Sequence, residues 1–228
     1  MRRFLAGVWA CTLLFAAAAR AAEMEVDLAL VLAVDVSGSV SDADWRLQKR
    51  GYAEAFRDPA IIGAVTGGPR GAIAVTLVEW SGPGQQEQVI PWTTIRDEKT
   101  ALAFGGAVAE APRRFSDSTA IGDAIEFCAS LLADEDIAAA RRVIDVSGDG
   151  PNNAGRPSEQ ARDAAVARGL TINGLPIVAE EPQVAAAYRD RVIGGPGAFL
   201  VVAEGIDSFA DAIIKKLGLE IAAARPGD

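Results

Sequence analysis

The unbroken apolar run Leu28-Ala29-Leu30-Val31-Leu32-Ala33-Val34 passes directly into Asp35-Val36-Ser37-Gly38-Ser39. A strand without polar alternation leaves no face for water, so residues 28–34 are predicted to form a central parallel strand covered by helices on both sides. The segment after it places a carboxylate and two hydroxyls at alternate positions. Asp35 brings the charge, while Ser37 and Ser39 bring neutral oxygens, a donor set suited to Mg²⁺, which takes few carboxylates in an octahedron of oxygens. Gly38 lets the loop curl tightly enough for both hydroxyls to point one way. Alone, a short Asp/Ser/Gly stretch after a strand also reads as a turn leading into a helix cap.

The rest of the chain alternates between the two periodicities. Ser41, with Asp44 three residues on, opens an amphipathic helix whose apolar face includes Trp45, Tyr52 and Phe56, and Asp58-Pro59 ends or interrupts it. Residues 71–80 and 87–92 read as a hairpin around Ser81-Gly82-Pro83-Gly84. A helix over 97–111 stops at Pro112, and a second runs over 119–133. Then come a strand at 142–147, a helix at 158–168 ended by Gly169, a strand at 170–177 and a short helix at 183–191. A last strand is predicted at 197–203 and a closing helix at 206–217, capped by Gly218. This order predicts an α/β fold with a doubly wound, mostly parallel sheet, whose ligands bind outside the carboxyl ends of the strands.

Two further segments carry oxygen donors to that edge. Ser118-Thr119-Ala120-Ile121-Gly122-Asp123 puts a hydroxyl at the start of a helix, and Val143-Ile144-Asp145-Val146-Ser147-Gly148-Asp149-Gly150 puts a carboxylate just past a strand. With Asp35, Ser37 and Ser39, these segments closely resemble the metal-ion-dependent adhesion site of the von Willebrand factor type A (vWA) domain, whose signature is DxSxS, then a lone Thr, then an Asp after a later strand. The resemblance covers roughly residues 27–217. Residues 26–40 and 143–153 together are also similar to exported bacterial proteins made of a type A domain alone. The resemblance implies a Rossmann-like vWA fold with the third strand as an antiparallel edge. It also implies a metal site of Asp35, Ser37, Ser39, Thr119 and Asp149, the last ligating directly or through water, with Mg²⁺ as the ion and Mn²⁺ or Ca²⁺ as alternatives.

Composition narrows the function. Arg2 and Arg3, an apolar stretch over 4–19 and Ala19-Arg20-Ala21 read as a cleaved export signal at 1–22, followed by one domain at 23–220 and a short tail at 221–228. The expected location is periplasmic or secreted. The chain carries 22 basic and 31 acidic residues, a net charge of −9, and loss of Arg2, Arg3 and Arg20 makes it more acidic still. Nucleic acid is thereby excluded as a partner, and stable membrane insertion after cleavage is not expected. Cys11 lies in the signal, so only Cys128 remains, read as a small buried apolar residue, and no intrachain disulfide is expected. The absence of histidine excludes Ser-His-Asp, Cys-His and His-ligated zinc chemistry.

In the type A family the open position of the ion takes a carboxylate from a protein partner. The expectation is therefore a binding module, not an enzyme, in which a cation bridges two acidic groups that would otherwise repel. The alternative is a Mg²⁺-dependent hydrolase or phosphatase-like enzyme using the same ion, with Asp117, Asp123 or Asp145 as base. Against it, Ser37 stands where haloacid-dehalogenase-like phosphatases need a second Asp, and Lys49, Lys99, Lys215 and Lys216 lie far from the motif in sequence. Smaller signals have plain readings: Asp42 as a first-turn acid or a ligand of a second ion, Asp123 and Glu126 as solvated helix charges, Asn152 and Asn153 as turn formers or contacts beside the ion. Trp80 and Trp92 read as core, or as flanks of the binding face.

Overall fold

In the computed structural model, which describes residues 24–133, 137–179 and 181–223, the apolar run is the middle of a sheet. The expected export signal and Cys11 lie outside the described residues, as do residues 224–228 of the tail. Strand β1 (Met24–Asp35) is flanked by β2 (Ile73–Trp80) and β4 (Ile137–Gly148), both parallel to it. Beyond them lie β3 (Gln86–Ile95), antiparallel to β2, and β5 (Thr171–Pro176), parallel to β4. The order is β3-β2-β1-β4-β5, a mostly parallel sheet with one antiparallel edge, as the sequence predicts.

Alternation along β1 sorts the core into two layers. Leu28, Leu30, Leu32 and Val34 meet α1 (Asp42–Ala55), α2 (Pro59–Thr66), α3 (Glu98–Glu110) and α7 (Phe209–Ala222) through Tyr52, Phe56, Ile61, Phe104 and Phe209. Edge-to-face pairs Tyr52–Phe209 and Phe56–Phe104, at 5.4 and 4.7 Å between centroids, tie three of these helices together. The smaller Ala29, Val31 and Ala33 face α4 (Ile121–Leu131), α5 (Ser158–Val166) and α6 (Gln183–Ala187). Cys128 is fully buried in that second layer, and burial pushes its thiol well up from the ordinary range, in keeping with a packing role.

One local expectation is extended and three are corrected. Asp58-Pro59 ends α1 and also starts α2: the Asp58 carboxylate accepts from Ala60 N at 2.7 Å, and Pro59 stands where a helix has no use for an N–H. β4 begins at Ile137, earlier than its alanines suggest, because 137–139 pair with 24–26 of β1. Residues 197–203 make only isolated bridges, Leu200 to Gly174 of β5 and Ala203 to Ile177 just beyond it. Pro176 accepts from Ala203 N but has no N–H to return to Val201, so the ladder loses a rung. Gly218 does not cap α7, which continues to Ala222 with Glu220 and Ile221 still buried.

Glu220 is held by a charged trio on the α1/α7 side of the sheet. Lys216 of α7 donates to Glu220 Oε1 at 2.6 Å and pairs with Asp145 of β4, and all three residues are 0% exposed. Asn173 Nδ2 adds a 2.9 Å bond to Glu220 Oε1, and Arg141 reaches the Glu220 carbonyl. Burial first, and then neighbouring Glu220, push the Asp145 carboxyl up, with Lys216 opposing. Removing one member of such a set strands the others. Lys216→Met is expected to lower the unfolding free energy by about 3–5 kcal/mol in urea titration; an unchanged midpoint would show that the trio does not fasten α7 to the sheet.

Candidate metal centre

The parallel register sets Val34 beside Ser147, so β1 and β4 end side by side and Asp35 lies next to Gly148 and Asp149. Ser37 N donates to Asp35 Oδ1 at 2.7 Å, folding the first loop back over the strand end. Ser37 Oγ and Ser39 Oγ are 3.2 Å apart, Ser39 Oγ donates to Asp149 Oδ1 at 2.6 Å, and Thr119 Oγ1 donates to Ser37 Oγ at 3.4 Å. All five sequence-predicted site residues therefore meet in one cluster drawn from three loops. Asp35, Ser37 and Thr119 are buried, Asp149 is half-buried and Ser39 is exposed, so the cluster opens to solvent on one side.

The loops are braced from behind. Arg113, which sequence reasoning missed, sends Nη2 to the carbonyls of Val36, Ser37 and Val40 at 2.9, 3.0 and 2.8 Å, and Nη1 to Asp42 at 2.8 Å. One guanidinium thus closes the first loop on itself and engages Asp42, which acts as its ion-pair partner. No sequence signal marks this arginine beyond its place just after a proline. Gly38 N donates to Asp117 O, joining the first loop to the Thr119 loop. Asn153 Oδ1 accepts from Thr119 N at 2.8 Å and Asn152 Oδ1 from Gly122 N at 3.1 Å, so both amides hold the third loop against the second.

Asp123, read as a solvated helix charge, instead holds the same loop, its Oδ1 accepting from Arg156 N at 2.8 Å, while Glu126 is exposed as expected and lies 3.1 Å from the Arg156 guanidinium. The Asp123 carboxylate lies against Gly155, whose φ of 66° suits glycine and whose missing Cβ leaves it room. Trp80 is core, and Trp92 is half-buried against the α4 layer.

Electrostatically the cluster is incomplete. Asp35 is 0% exposed, yet its Oδ2 has no hydrogen-bond partner among the described residues. Beside it the Tyr188 hydroxyl is likewise buried and unpaired; a Cβ on Gly148 would stand 2.6 Å from that hydroxyl and 2.7 Å from Asp35 Oδ2. Burial pushes the Asp35 carboxyl up to about 7, against the opposing bonds from Ser37. Asp149 is raised by burial as well, partly offset by the Ser39 hydroxyl. The donors, two carboxylates and three hydroxyls, are all hard oxygens, and an unpaired buried carboxylate oxygen is satisfied by a proton or by a positive charge placed beside it. The residues fit a divalent cation.

The carboxylates considered as bases are committed elsewhere. Asp145 is buried in the Lys216 trio, Asp123 holds Arg156 N, and Asp117 accepts from Ser118 N and from the Gln85 amide at 2.7 and 3.2 Å.

Several solved structures are similar to this chain. Proximal thread matrix protein 1 from the mussel byssus, with a zinc occupied MIDAS motif, matches with a TM-score of 0.62 and 16% identity over 89% of this chain and 49% of that one. The pilus adhesin SpaC from Lactobacillus rhamnosus GG gives 0.63 and 16% over 87% of this chain and 30% of that one. The von Willebrand factor type A protein from Catenulispora acidiphila gives 0.58 and 15% over 87% and 43%. This chain thus spans half or less of each of these proteins, and at such identities the likeness is one of fold. No curated protein matches it in sequence. The family model described as "Protein of unknown function (DUF1194)" covers residues 25–225, and the chain belongs to that family, with the von Willebrand factor type A fold.

Proposed function

We propose that this chain is a divalent-cation-dependent protein-binding module of the adhesion type, not an enzyme. The observation that carries the reading is the buried, half-unpaired Asp35 carboxylate set among Ser37, Ser39, Thr119 and Asp149 at an open rim. These five residues would hold the ion, Mg²⁺ first, with Mn²⁺ or Ca²⁺ as substitutes. When bound, the ion supplies the positive charge that lets a protein partner place a carboxylate on a chain of net charge −9. Zinc in the mussel protein's motif is a property of that protein. Here the all-oxygen donor set favours the harder ions.

The engagement of Asp117, Asp123 and Asp145 in structural contacts supports binding over metal-assisted hydrolysis. The sequence signal at 1–22 supports action in the periplasm or outside the cell. The acidic surface disfavours nucleic acid, and no helix among the described residues is long and apolar enough to cross a membrane.

Isothermal titration of the chain with Mg²⁺ or Mn²⁺ is expected to show uptake of one ion, and Asp35→Asn to abolish it while far-UV circular dichroism stays unchanged. A wild-type chain that takes up neither ion sinks the reading. Mg²⁺ at about 100 times its Kd should stabilise the fold by about 2.7 kcal/mol, a gain that EDTA reverses. Arg113→Met, which frees the three carbonyls of the first loop, is expected to weaken Mn²⁺ binding by about 10–100-fold without touching any ligand atom; wild-type affinity in that variant would show that the loop holds its shape unaided.

A further inference from the structure

Behind the third loop of the rim, between the first turn of α5 and the end of α6, lies a cavity of about 210 Å³. Ile121, Pro151, Ala187 and Val192 give it apolar wall. The start of α5 is uncapped, because Pro157 stands at the cap position and has no side-chain oxygen to offer. Ser158 N and Glu159 N therefore donate to nothing among the described residues, and such a helix end carries partial positive charge.

The same turn holds another unmet donor. Ser158 is 2% exposed and lines the cavity, yet its hydroxyl has no hydrogen-bond partner among the described residues. Buried hydroxyls are nearly always bonded. The Gln48 amide of α1, 1% exposed, is also unpaired, but packing closes both of its ends to water; the Ser158 hydroxyl is not closed off in that way.

Two charges of opposite sign complete the lining. Arg191 comes from Tyr188–Val192, a π-helical turn that continues α6, and such turns are rare and frequent at functional sites. Glu159 comes from α5. Neither side chain pairs with the other or with any other described residue. Asn152, by contrast, is spent on Gly122 N and on the Ala154 carbonyl.

A ligand that meets all these groups needs a carboxylate for Arg191, the Ser158 hydroxyl and the free N–H groups, a cationic donor for Glu159, and an apolar body for the wall. A plain carboxylic acid sets its charge against Glu159, and an amine leaves the donors of α5 unmet. We infer that this cavity binds a free α-amino acid with a small apolar side chain, such as valine, whose two charges match those of Arg191 and Glu159. The volume is several times the roughly 30 Å³ share of one water, so a molecule of that size fits. The site is separate from the cation-dependent one at the rim and stands or falls without it.

The test is calorimetric titration of the full chain, stripped of divalent ions so that no cation at the rim takes up carboxylate. Three probes of one shape are used: L-valine, isovalerate, which lacks the ammonium, and isobutylamine, which lacks the carboxylate. Valine is expected to bind about ten-fold tighter than isovalerate, the worth of one charge-assisted hydrogen bond, and isobutylamine to give no measurable heat. Arg191→Gln should weaken valine about ten-fold, and Glu159→Gln should bring valine and isovalerate to within about two-fold of each other. Arg191 is exposed and Glu159 half-buried, so neither change disturbs the core, and far-UV circular dichroism checks this. Absence of heat from valine at millimolar concentration overturns the inference, and so does isovalerate binding the wild-type chain as tightly as valine. Valine binding that neither Arg191→Gln nor Ser158→Ala weakens also overturns it, since the molecule then lies elsewhere.

Discussion

Burial of the Asp35 carboxylate at the end of the central strand is the constraint around which the rest of the molecule is arranged. A charge removed from water must be paired, bonded or neutralised. Here Ser37 N satisfies one oxygen and the other has no partner among the described residues. The surrounding loops are made rigid by contacts that avoid that oxygen: Arg113 closes the first, Asn152 and Asn153 tie the third to the second, and Asp123 fastens the far end of the third. Rigid support around an unmet electrostatic demand is how a binding site holds its shape before its ligand arrives.

The Lys216 trio on the same sheet makes the contrast. Asp145 and Glu220 are as buried as Asp35, but an ammonium from the facing helix lies against both. That cluster holds a cation of its own, one ammonium against two carboxylates, and fastens α7. Among the described residues no such cation meets the rim cluster, for Arg113 spends its donors on carbonyls and on Asp42. Two buried acidic clusters in one domain thus play different parts because one has its counter-charge built in and the other does not.

Much of this was legible residue by residue. The apolar run could only be a central strand, and the hairpin and the oxygen donors of residues 35–39 followed from local chemistry, while the grouping of Thr119 and Asp149 with them followed from the resemblance to the type A domain. Local chemistry misled where its effect depended on a neighbour. Residues 197–203 looked like a strand because the missing rung belongs to Pro176 on the adjacent one. Gly218 looked like a cap because nothing nearby in sequence shows that Glu220 and Ile221 are buried.

By itself the sequence determined which oxygen-bearing residues could serve as donors, their places after strands or at a helix start, and the acidic, histidine-free composition that points to hard-ion chemistry. These are properties of single residues and of short-range periodicity. Only the tertiary structure decided which long, flexible side chains turn inward. Arg113, Lys216, Gln48 and Tyr188 each carry a polar group that solvent would satisfy in an open chain. Whether that group ends bonded, paired or orphaned is set by packing of elements distant in sequence, since desolvation depends on everything that surrounds an atom and not on its neighbours along the chain.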